Sequence, residues 1–411
     1  MSLAENIADS TTVGQQPVPR IDFNMPGFWR VCVSLILSGF CAFSALYCVQ
    51  PILPVLAVDF GIGAASTSLA LTLSTVCLAV GLVFAGPISD SLGRKPVMLF
   101  SMIATGALMV ATAFAPNWHT VLVIRALIGL FLGGITAINL TYLAEEMAPH
   151  SLGRAVGLVL AGNSVGGMIA RIGVGVAAEH MDWHYPIAAV GGLSLMAAAL
   201  LWRWLPPSRN FRPARLSLGQ TLLNYGLHLR TPGLPSAFLA GFLLMGAFVT
   251  FFNYIGFRLL GAPFHLGQTA VGLVSLVFLP SSYAAILAGR ISDRYGPQRG
   301  HMLGIGVMAL GLALTAVPVF WVLTLGALLF TLGFFGAHAT ATGYVARTAH
   351  TARAQATSMY QIAFYLGASV AGTLGGLGWD LLGWNGVLLL LAVMTAAAFF
   401  NGRNLHQAPR F

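Results

Sequence analysis

Residues 86–96 read GPISDSLGRKP, and 203 positions later residues 289–299 read GRISDRYGPQR. Gly86, Ile88, Ser89, Asp90 and Gly93 recur as Gly289, Ile291, Ser292, Asp293 and Gly296. A second echo, GNSVGG at 162–167 against GASVAG at 367–372, repeats at almost the same interval. Charges gather in these loops although only 8% of the chain is Asp, Glu, Lys or Arg. A pattern that returns once at a fixed spacing makes two related halves.

Soluble domains carry roughly 25% charged residues. This chain is 57% hydrophobic with a mean hydropathy of +0.83, which leaves too few charges to cover a water-soluble surface. A membrane protein of many helical crossings satisfies both facts, because lipid solvates an apolar exterior and a helix satisfies its own backbone. The net charge of +9 is then read as topology, and nucleic acid is not an expected partner. Cys32, Cys41, Cys48 and Cys77 all fall in the first two apolar segments with no Cys-x-x-Cys spacing. They are expected to be buried apolar residues.

Several chemistries are excluded by what is missing. The sequence has no Gly-x-x-x-x-Gly-Lys-Ser/Thr phosphate loop, no His-Glu-x-x-His pair and no nucleophile–His–acid set on its apolar segments. ATP-driven transport and membrane enzymology are disfavoured, so no catalytic residue, metal or cofactor is expected.

A crossing takes about 20 mostly apolar residues. Twelve are predicted, at 29–57, 66–88, 96–115, 119–143, 152–178, 184–205, 234–257, 268–290, 299–317, 319–346, 353–378 and 384–403, the ninth and tenth divided by Pro318 alone. With the N-terminus inside, every basic residue except Arg125, Arg171 and Arg258 falls in a tail, a cytoplasmic loop or a cytoplasmic helix end. The opposite loops carry Asp59, Glu179, Asp182 and Asp380. That bias places both termini in the cytoplasm. The expected organisation is a disordered tail (1–28), a six-helix bundle (29–205), a linker with an amphipathic helix (206–233), a second six-helix bundle (234–403) and a short tail (404–411). One polypeptide supplies both halves, so a monomer is expected, with membrane lipid around it.

The loop GPISDSLGRKP between spans two and three resembles the signature of the major facilitator superfamily. RALIG (125–129) resembles that superfamily's Arg-x-x-x-Gly element in span four. GNSVGG resembles the antiporter Gly-Pro-x-x-Gly-Gly element, with Asn163 where proline is usual. LYCVQPILPVL (46–56) resembles the first-helix Pro-x-x-Pro element of the twelve-span drug:proton antiporter group. The resemblance implies an inner-membrane secondary transporter of a small organic solute, working by alternating access, with export in exchange for protons. It further implies a conformational latch at the cytoplasmic loop, carried onto Asp90 and Arg94 and more weakly onto Gly86, Gly93 and Asp293. The second loop departs from the pattern, with Pro297 and Gln298 where Arg94 and Lys95 stand.

Arginine deep in a span costs about 2.5–3.5 kcal/mol and usually faces a cavity or a partner. Arg125 and Arg171 sit at similar depth with no carboxylate deep in any predicted span. They either line the cavity and attract an anionic or polar substrate group, or bind backbone carbonyls. Further substrate-binding candidates on the expected pore helices are Tyr47, Gln50, Asn139, Asn253, Tyr254, Tyr360, Gln361 and Tyr365. His338, inside span ten, is the first candidate for proton coupling and Asp59 the second. The missing intramembrane acids keep two alternatives open, a facilitator or importer of an organic anion and a transporter-like sensor.

Overall fold

The computed structural model describes residues 19–211 and 218–405, and its elements are helical. The first crossing is broken into α1 (Pro26–Tyr47) and α2 (Leu53–Asp59). Then follow α3 (Ala64–Leu92), α4 (Arg94–Thr112), α5 (Trp118–Glu146), α6 (Pro149–His180) and α7 (His184–Trp204). A linker helix, α8 (Leu218–Arg230), precedes α9 (Leu234–Leu260). The eighth crossing is also broken, running through α10 (Gln268–Leu273), a 3₁₀ turn at Val274–Phe278 and α11 (Ser281–Tyr295). It is followed by α12 (Pro297–Thr315), α13 (Phe320–Thr348), α14 (Arg353–Leu382) and α15 (Trp384–Gly402). Among the described residues, eleven stretches are long and apolar enough to cross a membrane. The remaining crossing, the ninth in chain order, is α12, whose first turns carry Arg299 and His301.

Proline explains both broken crossings. Pro51 and Pro54 offer no N–H to a continuing helix, so the expected unbroken span 29–57 parts at residues 48–52. Pro280 does the same ahead of α11. Pro318 sits in the short turn between α12 and α13, where the sequence places the division.

Glycine sets how closely the helices approach. A Cβ on Gly129 of α5 would lie 2.0 Å from the Ser74 carbonyl oxygen of α3, and one on Gly367 of α14 would lie 2.0 Å from the Phe242 oxygen of α9. Such backbone-to-backbone contact is how helices pack where no water drives them together.

The duplicated loops share one backbone shape. Gly93 has φ 93 and ψ 156, and Gly296 has φ 92 and ψ 155. Only glycine occupies this region at low cost. Replacing either by alanine is expected to lower stability by about 1–3 kcal/mol, read as a fall in melting temperature of the detergent-purified protein. An unchanged melting curve for Gly93→Ala would show that the turn relaxes.

Residues 19–25, expected to belong to a disordered tail, lie against the α5–α6 corner. Ile21 pairs with Met147, and Asp22 accepts from Ser151 Oγ and meets His150 Nε2. Residues 1–18 and 406–411 of the expected tails, and Arg212 and Arg215 of the expected linker, lie outside the described residues.

The halves meet at one end. All described hydrogen bonds between them lie from mid-membrane to the end opposite the termini. Thr75 Oγ1 and Ser369 Oγ are 2.7 Å apart, Thr72 Oγ1 and Thr373 Oγ1 are 3.2 Å apart, and Gln268 Nε2 donates to the Pro51 carbonyl at 2.5 Å. A Cβ on Gly175 would lie 2.6 Å from the Cα of Gly272. Toward the termini, no hydrogen bond or ion pair joins the halves among the described residues. The distal end is shut.

Candidate functional site

The break in the first crossing builds the roof of the site. Tyr47 ends α1 and Gln50 lies in the break, beside Arg171 of α6. Arg171 donates from Nε to Gln50 Oε1 at 2.7 Å and from Nη1 to the Gly167 carbonyl at 2.9 Å. The guanidinium carbon lies 4.2 Å from the Tyr47 ring centre and 5.0 Å from that of Phe278, so aromatic quadrupoles contribute to balancing its charge. No carboxylate pairs with it among the described residues. Gln50 then donates from Nε2 to Asn253 Oδ1 of α9 at 2.7 Å. One amide side chain therefore ties the cation of the first half to the second half.

From that cation a run of rings leads into the second half. Phe278 meets Phe248 at 5.6 Å, Phe248 stacks on Phe334 at 3.9 Å, and Phe334 stacks on the His338 ring at 5.7 Å with planes 5° apart. His338 Nδ1 is 2.8 Å from Tyr360 Oη, with Phe364 at 4.7 Å. Tyr365, next to Phe364 on α14, is buried, its ring centre 5.5 Å from that of Phe364. Gln361 is half-buried with no hydrogen bond among the described residues. Sequence reading passed over Phe248, Phe278, Phe334 and Phe364, because 26 phenylalanines give no local signal for the few that line a path.

Other candidates make their contacts inside one half. Arg125, for which the sequence leaves cavity lining and carbonyl binding both open, is 1% exposed and donates to the Ala45 and Leu46 carbonyls at 2.7 Å each and to the Ala70 carbonyl at 3.2 Å. Ala45 and Leu46 are in the last turn of α1, where carbonyls lose their helical partners. Tyr254 is fully buried and donates its hydroxyl to the Gly372 carbonyl at 2.8 Å, strutting α9 against α14. Asn139 accepts from Ser38 Oγ at 3.0 Å within the first half. Asp59 is exposed at the distal surface, where it accepts from Trp183 Nε1 at 2.9 Å.

The residues expected to form a latch are engaged within their own halves. Arg94, at the N-terminus of α4, pairs with Asp90 and Glu145 at 2.5 Å each and lies 5.2 Å from the Phe211 ring centre. Glu145 was not anticipated. In the second half Asp293 lies 3.7 Å from Arg347 of α13. Arg347 aligns with Glu145 through the pair YLAEE (142–146) and YVART (344–348), so the cation has moved from one helix to its neighbour. A Cβ at Gly86 would meet nothing within 4 Å, and the same is true at Gly289.

Comparison with known proteins identifies the architecture. Residues 35–265 and 238–405 match the Major Facilitator Superfamily. The chain belongs to that superfamily. It is 43% identical to the inner membrane transport protein YnfM of Escherichia coli K12, over 95% of this chain and 94% of that protein. It is 38% identical to the uncharacterized MFS-type transporter YybF of Bacillus subtilis 168, over 91% and 93% of the two chains. Among solved structures it superposes on a bacterial homologue of the human lysosomal transporter Spinster, in an inward-facing and unoccupied conformation. That TM-score is 0.76 at 12% identity, covering 94% of this chain and all of that one. The chain is therefore a multi-pass facilitator-superfamily transporter and not an enzyme. Its two six-helix bundles are those of the superfamily.

Proposed function

We propose that this transporter moves a small organic solute across a bacterial inner membrane by alternating access, exporting it in exchange for protons. The observation that carries the reading is the double use of Gln50. The residue that bonds Arg171 at the roof also bonds Asn253 across the halves, so engagement of Arg171 and closure of the distal gate share one side chain. The basic residues place the termini in the cytoplasm, which makes the shut end periplasmic and the described state inward-facing. The chain acts as a monomer in lipid, because one polypeptide supplies the residues of both halves that meet at Gln50. Arg125 holds the broken end of α1, and Asp90, Arg94, Gly86, Gly93 and Asp293 serve the opposite, outward-facing state.

For coupling, the reading selects His338, which has a ring nitrogen on Tyr360 and aromatic faces around it. Reconstituted in liposomes and screened against a solute library, the protein should concentrate its solute when a pH gradient is imposed. His338→Ala should lose gradient-driven accumulation and keep solute exchange at equal pH. Gradient-driven accumulation that survives His338→Ala removes His338 from the coupling path.

A second reading, a facilitator or importer of an organic anion, is favoured by a buried arginine with no acid beside it among the described residues. In that case the imposed pH gradient changes nothing in wild-type liposomes.

A further inference from the structure

Arg171 is 5% exposed, and its guanidinium carbon lies over the rings of Tyr47 and Phe278, so its hydrogen bonds are made from the edge of the group. That edge is incompletely used. Nε is held by one oxygen of Gln50 and Nη1 by the Gly167 carbonyl, and Nη2 has no hydrogen bond among the described residues. On the other side of Gln50, Asn253 is 1% exposed and its Nδ2 is buried without a partner. Two unsatisfied donors, one from each half, thus flank a neutral amide that offers the arginine a single acceptor.

Nε and Nη2 of a guanidinium form a fork that fits the two oxygens of a carboxylate, with charge-assisted bonds stronger than those of an amide. We propose that this edge of Arg171 is a carboxylate site, that Gln50 occupies it while the distal gate is shut, and that an organic carboxylate with a planar aromatic body is the substrate class that displaces it. The carboxylate takes Nε and Nη2 together, and the body lies along the rings of Phe278 and Phe248. Gln50, no longer oriented by Arg171, releases Asn253, and the tie between the halves is lost. The proposal rests on the alternating-access reading above and adds the substrate chemistry and the trigger.

The test uses the full chain in lipid nanodiscs with benzoate as probe and benzamide as its uncharged counterpart. Binding is followed by calorimetry, and gate separation by the distance between spin labels on Val58→Cys and Leu381→Cys in a background free of native cysteines. Both positions are exposed near the distal end, one in each half. Benzoate should bind and lengthen the inter-label distance, and benzamide should do neither. Arg171→Gln should weaken benzoate by roughly 10- to 100-fold, the loss expected for hydrogen bonds to a charged group. Arg171→Lys keeps the charge without the fork and should also bind more weakly, which covers the case in which the glutamine variant fails to fold. Gln50→Ala removes the internal competitor and should bind benzoate more tightly than wild type.

Benzoate affinity unchanged in both Arg171 variants, or weaker in Gln50→Ala, overturns the proposal. Equal binding of benzoate and benzamide does so too. If a non-carboxylate solute from the library is carried by Arg171→Lys at the wild-type rate, the site proposal fails and the transport reading stands. If no solute is carried by wild type, the transport reading fails.

Discussion

Arg125→Ala should yield little folded protein. The side chain closes the end of α1, where the break at residues 48–52 leaves the Ala45 and Leu46 carbonyls without helical N–H groups, and it also reaches the Ala70 carbonyl of α3. Each buried acceptor left unpaired costs about 1–3 kcal/mol, and the empty volume of a fully buried arginine adds to this. The expected loss is on the order of 3–5 kcal/mol, comparable to breaking a buried ionic contact. Detergent-extracted yield, monodispersity and a thermal melt would measure it. Arg125→Lys should recover only part, because an ammonium group on one stem lacks the planar fork that spans three carbonyls. A folded, transport-dead Arg125→Ala with the wild-type melting temperature would return Arg125 to the substrate pocket.

The contrast between Arg125 and Arg171 shows where sequence reading stops. Both are deep arginines on consecutive crossings, and composition and depth treat them alike. Their fates separate through Pro51 and Pro54, which break the first crossing and create free carbonyls on one side and an irregular segment with Gln50 on the other. The prolines were visible in the sequence, but which arginine would serve the carbonyls depends on how α1, α5 and α6 pack. The fold was far more legible. Apolar length, the basic-residue bias and the repeated loop supply twelve crossings in two halves, because each is a local property of a segment facing lipid.

The loops themselves were only half legible. Positive φ at Gly93 and Gly296 follows from the repeat. The partners of the charges do not. Glu145 lies far along the chain from Arg94, and the second half replaces that cation with Arg347 on a different helix. Pro297 in place of Arg94 therefore reads as a loss in the sequence and as a relocation in space. The latch role also needs a state other than the described one. Gly86 and Gly289 meet nothing where a side chain would sit, so no close packing in the described state requires glycine at either position.

Gly175→Leu should hold the distal gate open and abolish transport while leaving both bundles folded. A Cβ at Gly175 would sit 2.6 Å from the Cα and 3.0 Å from the nitrogen of Gly272, which belongs to the other half. Backbone cannot swing aside as a side chain can, so the closed gate is the state that must yield. Two conformations of a transporter differ by only a few kcal/mol, and a clash of backbone against a branched side chain exceeds that difference. The population therefore moves to the outward-facing form, where the halves part at this point and the leucine is accommodated. Gly173, two residues away on the same helix, has nothing within 4 Å of its Cβ position and is exposed, so Gly173→Leu is the matched control and should keep its flux. A cysteine at Asn253, 1% exposed in the shut state, should become reactive to a membrane-impermeant maleimide added from the distal side in Gly175→Leu and stay protected in Gly173→Leu. Should Gly175→Leu carry solute at the wild-type rate, contact between Gly175 and Gly272 is not part of the cycle, and closure of the distal end must be sought in the hydrogen bonds between the halves, Thr75–Ser369, Thr72–Thr373, Gln268–Pro51 and Gln50–Asn253 among them.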